Sequence, residues 1–153
     1  MSTTNHVAVY ELLAEYGALI DAAKFDEWLD LFAEECRYQI VPRENYDRGL
    51  PAALMFCDSR AVLEDRIRAL REANKYNIHT DRHIIGLPRI FDEGLAVEAP
   101  FAVYQTDQEG ETRLFATGLY RDRLKYGGNS LKIRDKLILL DTFAVPSLLA
   151  IPL

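Results

Sequence analysis

Residues 112–140 read TRLFATGLYRDRLKYGGNSLKIRDKLILL, and this stretch decides the fold. Apolar and charged residues alternate on both sides of Gly127-Gly128-Asn129, the period of half-buried strands meeting at a tight turn. The spacing predicts strands over residues 112–126 and 131–143. Toward the N-terminus, Asp107-Gln108-Glu109-Gly110 and Asp92-Glu93-Gly94 are further turn signals. They set strands at about 82–91 and 95–106. Upstream of Asn74 the period becomes helical. Val9, Leu13, Tyr16 and Ile20 form one stripe, widened by Leu12 and Leu19, and predict a helix over residues 5–23. A short second helix starts near Asp26 and runs through Trp28, Leu29 and Phe32. Cys36–Arg43 reads as a strand with Pro42 near its end, and residues 44–51 read as a polar, turn-rich loop. Asp58 or Ser59 caps a third helix that ends near Glu72, with Leu63, Ile67 and Leu70 as its apolar stripe. The order is helices first, then a long meander. That is an α+β plan, N-terminal helices packed on one face of a curved antiparallel sheet, in one domain spanning residues 1–153.

Composition bounds the function. The chain has 153 residues, 49% of them apolar and 27% charged, which is the profile of a folded domain. A net charge of −6 argues against nonspecific nucleic-acid binding, which needs Lys and Arg to displace counterions. The first residues carry Glu11 and Glu15 without a basic partner, so they form no targeting signature, and the longest apolar runs, such as Leu137–Leu140, are far short of a membrane span. A cytoplasmic setting is expected. Two cysteines exclude a four-Cys zinc site. Cys36 is followed by Arg-Tyr and Cys57 by Asp-Ser, so neither opens the paired Cys/His motif of a Rieske cluster. Both read as buried, reduced thiols.

Few constellations carry chemistry. His79 and His83 stand four apart around Asp81. In a strand that separation is about 13 Å, too far for one ion, so hydrogen-bonded histidines are the better reading. Asp26 and Asp30 share a helix face, as do Glu11 and Glu15, but nothing in the pattern forces the burial that acid–base work requires. The last hairpin is less ordinary. Arg121, Arg123 and Lys125 alternate on one strand, and Lys132, Arg134 and Lys136 on the other. A two-residue turn at Gly128-Asn129 opposes Arg123 to Arg134 and makes a basic face of six charges, which needs an acidic partner. A register shifted by one pairs Asp122 with Arg134 and Arg121 with Asp135 instead. Both registers are open at this point.

The ordered motifs resemble a known family, the small (β) subunits of aromatic-ring-hydroxylating dioxygenases, which are Rieske non-haem iron oxygenases. The resemblance spans nearly the whole chain. It rests on Trp28-Leu29-Asp30-Leu31-Phe32 with Cys36-Arg37-Tyr38, on Asp58-Ser59 and Asp65-Arg66-Ile67, and on Arg82-His83-Ile84-Ile85-Gly86-Leu87-Pro88. At the C-terminal end it rests on Gly118-Leu119-Tyr120-Arg121-Asp122 and on Leu131-Lys132-Ile133-Arg134 leading to Leu140-Asp141. The segment Pro42 to Pro51 looks like the loop of salicylate-5-hydroxylase-type small subunits. Residues 66–74 with 82–88 are similar to terephthalate-dioxygenase small subunits.

The resemblance implies a nuclear-transport-factor-2-like (cystatin-like) cone. It implies a non-catalytic structural subunit, with the Rieske cluster and mononuclear iron held by an alpha partner that hydroxylates a carboxylated aromatic substrate with O2. No cofactor or metal is expected in this chain. An α3β3 assembly built on a trimer of this chain is implied as well. Arg43, Tyr46, Arg48, Arg121, Arg123 and Arg134 are the candidate subunit contacts. The rival reading is a free-standing dehydratase- or isomerase-like enzyme of the same cone fold. Its pocket between helices and sheet would use Asp30, Tyr38, His83 and Tyr120, and it requires a histidine and a carboxylate converging on one cavity.

Overall fold

A computed structural model describes residues 3–50, 53–75, 78–141 and 153. Helix α1 spans Thr3–Asp21 and α2 spans Phe25–Leu29. Strand β1 (Phe32–Pro42), a one-turn helix α3 (Arg43–Asp47) and a short strand β2 (Met55–Cys57) lead to helix α4 (Arg60–Asn74). Then come β3 (Thr80–Ile85), β4 (Arg89–Phe91), β5 (Ala96–Thr106), β6 (Thr112–Gly127) and β7 (Ser130–Leu140). Among the described residues these strands form one sheet in the order β2-β1-β7-β6-β5-β3, with β4 also pairing β5.

The helices form for the reasons their sequence gives. Val9, Leu12, Leu13, Tyr16 and Ile20 are all buried, so the α1 stripe faces the sheet. At Gly17 the helix crosses β3 so closely that an added Cβ would sit 3.3 Å from Ile85 Cδ1 and 3.6 Å from the His83 Cβ. Ser59 caps α4 by accepting a hydrogen bond from the Val62 N–H at 3.3 Å. Leu63, Ile67 and Leu70 then bury that helix.

Four of these expectations change. The sheet is mixed, because β1 runs parallel to β7 from Phe32 beside Ile133 to Pro42 beside Leu140. The direction follows from α2, which delivers the chain to the end of the sheet where β7 begins. The predicted strand 82–91 is two strands, β3 and β4, interrupted at Gly86-Leu87-Pro88, and the expected loop at 44–51 begins as helix α3. The end of that loop and the end of the strand predicted to 143 lie outside the described residues.

The fourth change is the register of the last hairpin, where the two-residue turn forms but Arg134 opposes neither Arg123 nor Asp122. The turn is the two-residue Gly128-Asn129, with Gly127 opposite Ser130 and Gly128 at φ +68°, a region glycine enters without a Cβ clash. Leu124 faces Ile133, but Arg123 then faces Asp135, so one extra residue, Arg134, is inserted into β7. This β-bulge reverses the side-chain alternation beyond it. Asp122 therefore pairs with Lys136 and both point inward. The six-charge basic face does not exist.

Candidate functional site

The reversed alternation places an ion pair inside the cone. Lys136 Nζ donates to Asp122 Oδ1 at 3.2 Å and Oδ2 at 2.9 Å, and both side chains are fully buried. The ammonium also lies 3.6 Å from the Tyr120 ring centroid and 4.1 Å from that of Tyr16, a cation held between two aromatic faces. Burial pulls the Lys136 ammonium below its ordinary range and pushes the Asp122 carboxyl up, each partly offset by the other. Around the pair the rings of Tyr16, Trp28, Phe32 and Tyr38 meet at centroid distances of 4.8–6.4 Å. Phe101 stacks on Tyr120 at 4.3 Å.

A second cluster joins α1 to β3. His83 Nδ1 lies 2.6 Å from Asp21 Oδ1, and the His83 backbone N–H donates to Asp21 Oδ2 at 2.9 Å. Asp21 is in the last turn of α1, where a carboxylate opposes the helix dipole; the histidine compensates it. The pair borders a cleft of about 490 Å³ whose other walls include Tyr10, Leu13 and Leu87.

Of the four residues proposed for a free-standing enzyme, Tyr38 and Tyr120 are fully buried in the aromatic cluster, and His83 is bound to Asp21. Asp30 is exposed and pairs with Arg60 at 3.1 Å. The carboxylate that meets the histidine is Asp21, so the structure does not assemble the proposed set. Asp26 pairs with Arg71 at 2.7 Å, which separates it from Asp30 as an acid–base dyad.

The six candidate contact residues lie on the outer surface, each in an intrachain pair. Arg43 meets Asp141 at 3.3 Å, and Arg48 meets Glu44 at 2.9 Å. Arg123 meets Asp92 at 2.8 Å, and Arg134 meets Asp135 at 3.9 Å. Arg121 bonds Glu98 at 3.1 Å and the Tyr46 hydroxyl at 3.2 Å, with its guanidinium 5.6 Å from the Tyr46 ring centroid. Helix α3 is thereby fastened to the outer face of β6. Two hollows of about 370 and 800 Å³ flank this point and share Gln39 and Leu137. Farther along the same sheet Ile84, Tyr104 and Leu114 are exposed apolar side chains.

The donors present do not suit an iron–sulfur or iron site. Cys36 and Cys57 are buried, and burial pushes both thiols up, away from the thiolate a metal needs. His79 is 3.3 Å from Asp81, and His83 is committed to Asp21. Among the described residues no group of three or more His, Cys, Asp or Glu side chains is placed to hold a metal. No described helix is long and apolar enough to cross a membrane.

Comparison with known proteins agrees with this architecture. The family described as "Ring hydroxylating beta subunit" matches residues 17–147. The chain is 36% identical over 153 residues to subunit beta 2 of the terminal oxygenase component of terephthalate 1,2-dioxygenase from Comamonas sp., covering 97% of this chain and 99% of that one. It is 35% identical over 148 residues to the anthranilate 1,2-dioxygenase small subunit of Burkholderia cepacia, covering 95% and 92%. A crystal structure from Novosphingobium aromaticivorans, named for the beta subunit of an aromatic-ring-hydroxylating dioxygenase, superposes with a TM-score of 0.85 at 38% identity, covering 96% and 95%. This chain belongs to the beta-subunit family of the ring-hydroxylating dioxygenases.

Proposed function

We propose that residues 1–153 act as one non-catalytic domain supporting a cytoplasmic oxygenase, whose alpha subunit hydroxylates an aromatic carboxylate. The observation that carries this reading is the near-full-length likeness to two subunits whose enzymes are named for aromatic carboxylates. The Rieske cluster and mononuclear iron belong to the alpha partner, where they supply electron transfer and oxygen activation. This chain's own residues supply shape and surface. The aromatic core and the Asp122–Lys136 pair stiffen the cone, and its outer face meets neighbouring subunits. Tyr46 and Arg121 form the centre of that contact, with Arg43, Arg48, Arg123 and Arg134 around them, in an α3β3 assembly.

Co-expression with the alpha subunit and size-exclusion chromatography tests the reading. A brown, iron-containing hetero-oligomer that turns over terephthalate, salicylate or anthranilate is expected. A colourless species of this chain alone, persisting beside intact alpha subunit, would overturn it. Arg121→Glu with Tyr46→Ala should shift the equilibrium toward free subunits while each chain stays folded.

A further inference from the structure

Three arginines border the hollow of about 370 Å³ on the outer face, Arg37 of β1 and Arg121 and Arg123 of β6. Glu98 answers Arg121 at 3.1 Å, and Asp92 answers Arg123 at 2.8 Å. Arg37 is exposed and has no ion-pair partner among the described residues. Asp135, beside it in the β1–β7 register, pairs with Arg134 instead. The Arg37 guanidinium lies 5.8 Å from the Phe56 ring centroid. A guanidinium resting on a ring is held in place while its N–H edge stays available to a carboxylate.

The neighbouring hollow of about 800 Å³ has a different lining, chiefly Val41, Tyr46, Leu50, Phe56 and Leu137. Tyr46, Leu50 and Phe56 are exposed. Exposed apolar and aromatic side chains grouped beside arginine are the composition of a protein interface rather than of a solvated face. Gln39 and Leu137 belong to both hollows, so the two form one groove along β1. From Arg37 to Val41 the strand advances about 13 Å. At the polar end Arg37, Arg121 and Arg123 stand against the carboxylates Glu98 and Asp135, the buried Asp122–Lys136 pair cancelling itself. The groove therefore carries a local positive excess in a chain of net charge −6.

We infer that this groove receives an extended segment of the alpha subunit carrying a carboxylate and, about four residues away, a large apolar side chain. The carboxylate meets Arg37, and the apolar group fills the hollow lined by Tyr46 and Phe56. The inference rests on the subunit reading above and names the partner's chemistry at that contact. Charge selects the occupant. Covering Arg37 without an anion would leave a desolvated cation unpaired, whereas a carboxylate can take two parallel hydrogen bonds from it. A second copy of this chain laid on the same face would set one arginine excess against another.

The test uses the hetero-oligomer co-expressed with the alpha subunit. Arg37→Lys keeps the charge and supplies a primary amine, which a zero-length carbodiimide condenses with a carboxylate in contact. Mass spectrometry of the joined peptides then identifies the occupant. Position 37 should be joined to an Asp or Glu of the alpha subunit that has a large apolar residue about three to five positions away. In a second arm, Arg37→Glu and Leu50→Asp alter exposed side chains, so both chains should melt as the unaltered one does. Each should weaken alpha–beta association at least about tenfold, read by dilution and size-exclusion chromatography, and Arg37→Lys should weaken it less. Joining of position 37 only to a second copy, or only within its own chain, overturns the inference. So does association indifferent to Arg37→Glu and Leu50→Asp, which leaves the subunit reading standing. Failure of the unaltered chain to assemble with the alpha subunit at all overturns the subunit reading itself, and the inference with it.

Discussion

Strand β6 carries Arg121, Asp122 and Arg123 in succession, and its two faces use the same chemistry to different ends. On the inner face the Asp122–Lys136 pair is 0% exposed at both side chains. On the outer face Arg123 and Asp92 are 62% and 63% exposed and lie 2.8 Å apart, slightly closer than the inner pair's 2.9 Å. Nearly equal geometry thus sits in opposite dielectrics. The outer charges remain hydrated when either partner is lost, whereas the inner ones have no solvent to fall back on. Burial, not charge or distance, sets what each pair means to the fold.

The sharpest way to break the contrast is to remove one inner partner. Lys136→Met leaves the Asp122 carboxylate buried and alone. It should cost about 3–5 kcal/mol, a fall in Tm of about 10 °C by calorimetry. The double change Asp122→Leu with Lys136→Met should recover most of that loss. Recovery below half would show that the tyrosine faces, and not the carboxylate, dominate the lysine's surroundings. Linkage gives a second reading. Lys136 holds its proton less tightly folded than unfolded. Its contribution to stability is therefore lost as pH falls through the lowered folded value and is fully present above the ordinary 10.5. Lys136→Met should flatten that alkaline rise.

Gly118 tests the close strand contact that holds the inner face shut. A Cβ there would lie 2.0 Å from the Leu139 carbonyl oxygen and 2.9 Å from Phe101 Cε1. Gly118→Ala should cost about 1–3 kcal/mol in chemical denaturation, because backbone must move. Tyr38→Phe deletes only the hydroxyl shared with Leu153 and should cost about 1 kcal/mol.

The difference between faces also explains what the sequence made legible. Helical stripes and turn signals are local, so α1, α4, the Ser59 cap and the β5–β7 meander could be read directly. The β1–β7 pairing is not local, and a three-residue strand such as β2 is too short to display a repeating alternation. The inner ion pair was hidden by one bulge. Alternation alone puts Lys136 on the face of Lys132, and only the extra residue at Arg134 turns it inward. Asp21 left a faint signal, an acid in a helix's last turn, but its partner lies 62 residues away. The outer contacts were half legible. Tyr46 and Arg121 were each identified, but their contact depends on α3 folding back over β6.

The smallest expected effects are the most discriminating between outer residues. Arg121 has Glu98, the Tyr46 hydroxyl and the Tyr46 ring, whereas Arg123 pairs with Asp92. Arg123→Ala should change stability by less than about 0.5 kcal/mol, and Arg121→Ala by about 0.5–1 kcal/mol, the added share coming from Tyr46. A double-mutant cycle between Arg121 and Tyr46 isolates that share. Raising salt from about 0.05 M to about 0.5 M shortens the screening length to a few ångströms. It should erase the Arg123–Asp92 coupling and leave the Asp122–Lys136 coupling intact. Equal salt sensitivity of the two would mean that water reaches the inner pair, and the two faces would then differ in degree rather than in kind.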